Sequence, residues 1–188
     1  MGHISGDMSD EPQSAITAEI VQLRMKIFLR SPLRRKLLAR TMRLLDKVNG
    51  QEVLEMSADD ALSVALQNAG GGGGAVWSSL AVSETQAELL AEAGIPRIHL
   101  GVLPQLPFEE GAFDAIVASD VLEYVEKPAE MMAELHRTMR SRTRLILHVR
   151  RKRRTLVELF RRLSGLTDPT RPQMRPGFTP TELFDVLK

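Results

Sequence analysis

The segment that most constrains the fold of this chain is residues 106–128, LPFEEGAFDAIVASDVLEYVEKP. Within it, Phe113–Ser119 is a short apolar run, and the preceding Glu110-Gly111 is typical of a turn. A continuous apolar run of this length predicts a strand covered on both faces, as in a parallel sheet. Polar residues Ser119 and Asp120 lie where that strand would end. Open α/β sheets bind ligands beyond the carboxyl ends of their strands, so the sequence predicts a ligand site here.

The composition is that of one globular domain. The chain has 188 residues, of which 43% are hydrophobic and 26% are charged. No apolar run approaches the roughly 18 to 20 residues that span a bilayer, and the N-terminus lacks the apolar region of a signal peptide, so a cytoplasmic location is expected. The absence of cysteine excludes disulfides, thiolate metal ligands and a cysteine nucleophile, and we expect no metal site.

Charge is distributed unevenly along the chain. Residues 24–47 contain nine Lys/Arg and one acidic residue, and residues 140–162 contain ten Lys/Arg and one acidic residue. Residues 48–139, between them, contain three Lys/Arg and fifteen acidic residues. The two basic segments either pair with the acidic body and solvent or bind a polyanion, such as a phospholipid surface or nucleic acid. The densest basic run is Arg150, Arg151, Lys152, Arg153 and Arg154.

The N-terminal part predicts a tail and two helices. Residues 1–13 are expected to be a disordered tail, of which 1–8 look partly like the remnant of an expression tag before a native start at Met8. Residues 14–49 read as two helices that restart at Ser31-Pro32, with Ser31 as N-cap and Pro32 in the first helical position. Two apolar stripes carry this interpretation: Ile16, Ile20, Leu23 and Ile27, then Leu33, Leu37, Leu44, Leu45 and Val48. Such basic amphipathic helices pack on a core or lie on a membrane, and the sequence leaves both open.

Residues 50–188 predict a single α/β domain. Strands are expected at 51–56, 75–80, 97–101, 113–119 and 144–149, and helices at 60–68, 84–93, 128–139, 155–163 and from 178. The five glycines at 70–74 predict a flexible turn, and they lack the Lys-Ser/Thr of a phosphate-binding loop. Ser141-Arg142-Thr143 is expected to be the turn before the fifth strand.

The 106–128 segment resembles class I S-adenosylmethionine (SAM)-dependent methyltransferases, in particular the type 11 group. Members of that group carry an LPF-(D/E)-x-x-F-D strand entry and then a V-L-E-H/Y-(V/I)-x-(D/N/K)-P loop. The matching residues are Leu106-Pro107-Phe108-Glu109, Phe113-Asp114, Val121-Leu122-Glu123-Tyr124-Val125 and Lys127-Pro128. The resemblance implies a Rossmann-like, doubly wound sheet of order 3-2-1-4-5 with an N-terminal helical extension. It also implies that the two N-terminal helices cap the substrate side.

The cofactor motif departs from the family at the first strand. Methyltransferases of this group follow that strand with a G-x-G-x-G loop, in which bare backbone approaches SAM. In this chain Ser57, Asp59 and Ala61 occupy the three glycine positions, and Glu55 keeps the acidic position before them. A Cβ at a glycine position is a steric obstacle to the cofactor, and Asp59 and Asp60 are better explained as helix N-cap and dipole partners.

Two further cofactor positions also differ. The family places an acidic residue for the ribose hydroxyls after the second strand, and Ala81 aligns with it. It places an aspartate for the adenine amino group after the third strand, where this chain has Val102. The predicted cofactor-side residues are therefore Glu55, Ser57, Asp59, Ala81, Val102, Ser119 and Asp120, and no catalytic residue is assigned. His148, near the end of the fifth strand, is a weaker candidate for a general base.

The sequence leaves three functions open. The first is a methyltransferase-like pseudoenzyme with a degenerate SAM site that acts as a binding or partner subunit. The second is an active SAM-dependent methyltransferase on a small molecule or lipid, with its substrate between the N-terminal helices and residues 120–124. The third is a module that binds an anionic or membrane surface through the basic segments.

The end of the chain predicts an exposed sheet edge. The family continues with two strands that form an antiparallel hairpin beside the fifth strand, and these are missing before Lys188. The fifth strand is therefore expected to be an unprotected edge, covered by a protein partner or by a second copy in a homodimer.

Overall fold

The computed structural model describes residues 11–45, 52–70, 74–152 and 174–188. Their helices are α1 (Glu11–Arg30), α2 (Pro32–Leu45), α3 (Asp60–Gly70), α4 (Glu84–Glu92), α5 (Pro128–Thr138) and α6 (Pro180–Val186). The strands are β1 (Glu52–Ser57), β2 (Val76–Ala81), β3 (Ile98–Leu100), β4 (Phe113–Ser119) and β5 (Met139–His148). A short 3₁₀ turn, Leu122–Tyr124, follows β4.

The five strands form one parallel sheet in the order β3-β2-β1-β4-β5, which confirms the predicted topology. Strand β1 lies at the centre, where Leu54 pairs with Ser78 of β2 and with Ile116 of β4. The chain order reverses between β1 and β4, and the carboxyl ends of β1, β2 and β4 therefore surround the crevice in which such sheets bind ligands.

Apolar side chains cover both faces of the sheet. On one face, Leu54 and Ile116 pack with Met131 and Leu135 of α5 and with Phe178. On the other face, the residues of β1, β4 and β5 pack against α3 and the N-terminal helices, and this cluster contains Phe28, Leu45, Val53, Leu66 and Ile146. Burial on both sides explains why β4 is a nearly continuous apolar run rather than an alternating one.

The N-terminal helices pack against the helical layer. Ser31 caps α2 through a bond from the Arg34 amide to Oγ (3.4 Å), as predicted. The helix predicted from the apolar stripe of α1 is present, but the stripe does not face the core, because Leu23 and Ile27 are 57% and 56% exposed while Phe28 is completely buried. Apolar residues lie on both sides of α1, so periodicity alone did not determine which side faces the core.

On α2 the inward residues also differ from part of the predicted stripe. Thr41 and Leu45 are buried, whereas Leu33 and Leu44 are 77% and 44% exposed. Helix α1 begins at Glu11, inside the predicted tail, and residues 1–10 lie outside the described part of the chain.

The fifth strand begins earlier than predicted. Residues Ser141-Arg142-Thr143 do not form a turn before the strand; they lie within β5, in an irregularity between the pairs Phe113–Met139 and Ala115–Arg144. Arg142 has a φ of 67°. Such a backbone conformation is typical of a β-bulge, in which one strand carries extra residues that the neighbouring strand does not pair with. Similarly, Gly70 of the predicted glycine turn ends α3, and its backbone lies so close to the Trp77 ring that a Cβ there would clash.

The C-terminal segment returns to the end of β5. The Phe178 amide donates to the Arg150 carbonyl (2.8 Å), and the Lys152 amide donates to the Phe178 carbonyl (3.0 Å). Thr179 and Glu182 then form a capping box at the start of α6, as expected for the helix predicted there. The predicted helix at 155–163 and most of the loop at 167–177 lie outside the described residues, as do Arg153 and Arg154.

The exposed edge of β5 carries features that oppose pairing with another strand. Arg140 and Arg142 are exposed on it, and the bulge interrupts its regular backbone. Charges and bulges are common ways in which natural sheets protect an edge. The edge therefore has features of its own that hinder pairing with another strand, and a partner that covers it stays a prediction. Among the described helices, none has an apolar stretch long enough to cross a membrane.

Candidate functional site

A cavity of about 230 Å³ opens at the carboxyl ends of the central strands. Its wall comes from the ends of β1 and β2, the loop after β3, the loop after β4 and the start of the C-terminal segment. The lining residues are Met56, Ser57, Ala58, Leu80, Val82, Val102, Leu103, Val121, Tyr124 and Met174. Only two of these, serine and tyrosine, have strongly polar side chains, and none has a carboxylate.

The loop after β1 is held by its own polar groups. The Asp59 amide donates to Ser57 Oγ (3.0 Å), and the Ser57 carbonyl accepts a bond from the side-chain amide of Gln86 (3.0 Å). Gln86 is completely buried, and its Oε1 accepts from the Val82 amide (3.1 Å), so it joins the ends of β1 and β2 beneath the cavity. The sequence reading did not identify Gln86, since nothing in its local pattern distinguishes it from a surface residue of α4.

Asp59 serves the start of α3, as the sequence predicted. Its Oδ1 accepts from the Ala61 amide (3.2 Å), which is an N-cap bond, and its Oδ2 pairs with Arg34 of α2 (2.9 Å). Asp60 pairs with Arg24 of α1. Both carboxylates therefore tie α3 to the N-terminal helices.

Glu55 lies beneath the cavity rather than in its wall. It is completely buried, and its carboxylate accepts bonds from Ser63 Oγ of α3 (2.9 Å) and Ser79 Oγ of β2 (3.1 Å). Gln67 of α3 in turn donates to Ser79 Oγ (2.9 Å). Burial raises the pKa of Glu55 to about 7, and the two hydroxyl donors oppose that rise.

Ala81 and Val102 lie at opposite extremes of exposure. Ala81 ends β2, is completely buried and does not line the cavity, whereas its neighbour Val82 does. Val102 lines the cavity and is 82% exposed. The two positions where the resemblance implies acids for ribose and adenine thus contribute a methyl group and an isopropyl group.

Ser119 joins a chain of hydrogen bonds that runs away from the cavity wall. Its Oγ lies 2.8 Å from His148 Nδ1, and His148 Nε2 lies 3.2 Å from Thr41 Oγ1. The Thr41 hydroxyl donates its proton to the Leu37 carbonyl (2.9 Å), so its oxygen is an acceptor for Nε2–H. Nδ1 is then the acceptor of the Ser119 proton. Burial lowers the pKa of His148, which is consistent with a neutral ring.

Asp120 has a φ of 56° and pairs with Arg150 (3.3 Å). Next to it, Glu123 is buried, and its Oε1 accepts from the Arg150 amide (2.5 Å). The Glu123 carbonyl accepts from the amides of Met174 and Arg175, which fastens the C-terminal segment beside the cavity. Burial raises the pKa of Glu123, and its Oε2 has no hydrogen-bond partner in the described part of the chain.

The candidate site is thus divided. Two of the predicted residues, Ser57 and Val102, line the cavity. The other five do not line it and contribute to the structure around it: Glu55, Asp59, Ala81, Ser119 and Asp120. The described N-terminal helices contribute no lining residue to this cavity, and a substrate position between them and residues 120–124 stays a prediction. Tyr124, at the end of the predicted substrate loop 120–124, does line the cavity, whereas Met174 was not predicted, because it reaches the wall from a distant part of the chain. The described residues contain no cluster of acids and histidines suited to a metal ion.

Comparison with known families identifies a large part of this domain. Residues 68–147 match the model of a family described as "Methyltransferase domain". The matched segment extends from α3 to β5 and includes the 106–128 segment. None of the curated proteins matches the chain significantly in sequence.

Solved structures with a similar fold include two that are described as methyltransferases. A SAM-dependent methyltransferase from Aquifex aeolicus superposes with a TM-score of 0.59 at 14% identity, covering 89% of this chain and 85% of its own. A protein from Galdieria sulphuraria, provisionally assigned as a sarcosine dimethylglycine methyltransferase, superposes with a TM-score of 0.59 at 13% identity. The superposition covers 81% of this chain and 58% of that protein. The YcgJ protein from Bacillus subtilis superposes with a TM-score of 0.55 at 16% identity, and the superposition covers 79% of this chain and 66% of that protein.

The chain therefore spans less than two thirds of the length of two of these proteins, and at such low identities the likeness establishes the fold. The sheet order, the 106–128 segment and the family match over residues 68–147 agree with one another. Residues 68–147 therefore match a methyltransferase domain family, and the described chain has the Rossmann-like fold of class I SAM-dependent methyltransferases.

Proposed function

We propose that this protein is a methyltransferase-like subunit with a degenerate SAM site, which acts by binding a partner rather than by transferring a methyl group. One observation carries the proposal: the cavity at the carboxyl ends of β1 and β2 has no carboxylate in its described wall. SAM presents a ribose diol, an adenine amino group and an ammonium group, all of which are hydrogen-bond donors that need acceptors.

The expected loss of affinity follows from the missing acids. A hydrogen bond to a charged group contributes about 1.5 to 3 kcal/mol. Without such bonds at Ala81 and Val102, SAM would bind more weakly by about 3 to 6 kcal/mol, a factor of roughly 10² to 10⁴. Glu55 does not compensate, because it is completely buried beneath the cavity and does not line it.

The loop after β1 supports the same proposal. The Ser57 side chain is engaged with the Asp59 amide, and Asp59 is engaged with α3 and Arg34. A loop held in this way by side chains is a helix-capping structure, whereas the glycine loop of the family leaves its backbone open to the cofactor.

The test is a calorimetric titration of the purified chain with SAM and with S-adenosylhomocysteine. No heat of binding at millimolar ligand, from protein shown to be folded by circular dichroism, is the expected result. Micromolar binding of either ligand would overturn the degenerate site.

The second candidate function is an active SAM-dependent methyltransferase. The observation in its favour is the cavity itself, which lies at the topological switch point and is bordered by Val121 and Tyr124 of the family's V-L-E-Y loop. In such an enzyme the chain would supply proximity and orientation for methyl transfer. Micromolar binding of S-adenosylhomocysteine, followed by transfer of a labelled methyl group to a small molecule or lipid, would establish it.

A further inference from the structure

We propose that the outward side of the two N-terminal helices binds the surface of an anionic lipid bilayer. We define this outer helical face by the exposed residues Leu23, Lys26, Ile27, Arg30, Leu33 and Lys36. The inference does not depend on whether the cavity binds SAM, because none of the described α1 and α2 residues lines that cavity.

The apolar part of the face is a stripe that the fold leaves in solvent. Leu23 and Ile27 are one helical turn apart on α1 and are 57% and 56% exposed, and Leu33 at the start of α2 is 77% exposed. The opposite side of α1 is already occupied, since Phe28 is completely buried in the core. These large side chains therefore do not serve the packing of the described domain.

Basic side chains lie between and beside these apolar residues. Lys26 and Arg30 are one turn apart on the exposed side of α1, and Lys36 and Arg40 are exposed on α2. Residues 17–45 contain eight Lys/Arg and a single acid, Glu19. Arg24 and Arg34 form ion pairs with Asp60 and Asp59, whereas the other six have no ion-pair partner among the described residues.

This combination fits a lipid surface better than other partners. Apolar residues inserted near the headgroups, with Lys and Arg beside them, are the pattern of helices that lie in a membrane interface. Nucleic acid would use the basic residues but not Leu23 or Ile27. A second copy of the chain would bring two basic faces together, and the like charges would repel.

The test is co-sedimentation of the full chain with lipid vesicles. We expect binding to vesicles of phosphatidylcholine and phosphatidylserine, no binding to pure phosphatidylcholine, and weaker binding as salt is raised. The double variant Leu23→Asp/Ile27→Asp should lose binding. Lys26→Gln/Lys36→Gln should lower the partition constant by about fivefold for each charge removed, roughly twenty-five-fold in all.

Leu187→Asp is the matched control. Leu187 is 50% exposed, and it follows α6, which packs on the opposite side of the sheet, so this variant should bind like the unchanged protein. Because Leu23 and Ile27 are already exposed, their variants should melt like the unchanged protein.

Three outcomes would overturn the proposal. These are no binding to anionic vesicles, equal binding to neutral vesicles, or full binding by the Leu23→Asp/Ile27→Asp variant. Light scattering that shows a dimer, converted to a monomer by the same double variant, would identify a second copy as the occupant. Binding to duplex DNA with no binding to vesicles would identify nucleic acid instead.

Discussion

The Ser79 hydroxyl on β2 donates a hydrogen bond to Oε2 of Glu55 on the adjacent strand β1, at 3.1 Å. A carboxyl group that the family resemblance places beside the cofactor is thus part of a buried network between two strands and α3. Ser63 and Gln67 extend this network. Because folding buries Glu55 within it, the affinity of Glu55 for a proton differs between the folded and the unfolded chain.

The stability of the protein should therefore depend on pH through Glu55. In the unfolded chain this group loses its proton near pH 4.5, whereas burial raises its pKa in the folded protein to about 7. Between pH 4.5 and about pH 7 the folded state binds more protons than the unfolded state. The free energy of unfolding should therefore fall as pH rises through this range, by about 3 kcal/mol at most.

The variant Glu55→Gln should remove this fall in the free energy of unfolding, as measured by urea denaturation from about pH 5 to about pH 8. Glu88→Gln on the exposed side of α4 makes the same charge change away from the core and should keep it. A Glu55→Gln profile parallel to that of the unchanged protein would contradict the prediction.

His148 should give the opposite dependence. Burial lowers the pKa of His148 below its usual 6.5, so the unfolded chain binds more protons as pH falls through that value. The contribution of His148 to stability is present above pH 6.5 and is lost below it, and His148→Asn should flatten that acid-side loss. Nitrogen-15 NMR of the imidazole should show the proton on Nε2, because Thr41 accepts there. A proton on Nδ1 at neutral pH would refute the assigned hydrogen-bond chain.

Asp59 should matter for stability through its capping bond. Asp59→Ala removes both the bond from the Ala61 amide and the ion pair with Arg34, and we expect about 1 kcal/mol lower free energy of unfolding. Asp59→Asn keeps an oxygen acceptor for the cap and loses only the partly exposed ion pair, so it should lose less. Thermal and urea denaturation of the two variants measure the difference. Equal losses would show that the Arg34 pair, rather than the cap, stabilises the start of α3.

Val102→Asp should increase affinity for S-adenosylhomocysteine. Val102 lines the cavity and is 82% exposed, so an aspartate there is accommodated without burying a charge. One charged hydrogen bond of about 1.5 to 3 kcal/mol corresponds to roughly 10- to 150-fold tighter binding, measured by calorimetry. Val102→Leu, which keeps the position apolar, is the control and should bind no better than the unchanged protein. Binding by Val102→Asp that is no tighter than that of Val102→Leu would contradict the prediction.

Several parts of the fold could be predicted because local sequence is sufficient for them. The buried strand β4 has the predicted bounds, Phe113–Ser119, since its apolar run is bordered by a turn and by polar residues. Ser31 caps α2 as expected, and Ser83 and Thr179 cap α4 and α6 in the same way, because a hydroxyl that binds its own following amides needs no distant partner. The start of β5 was missed, because the bulge at Arg142 depends on pairing with β4.

The candidate site was predicted in part. The position at the carboxyl ends of the strands followed from the resemblance and from general rules of α/β sheets, and Ser57 and Val102 do line the cavity. Gln86 and Met174 were not found, since each reaches the site from an element whose neighbours only the folded chain defines.

The sequence by itself determined the fold class, the order of elements and the residues that stand where the resemblance implies glycines and acids, because these depend on residue type and spacing. Tertiary structure decided which side of each element faces the core. It buried Glu55 between Ser63 and Ser79, and it turned Phe28 inward and left Leu23 and Ile27 exposed. A helix with apolar residues on two sides has no local preference between them, so the choice is made by the surface on which it packs.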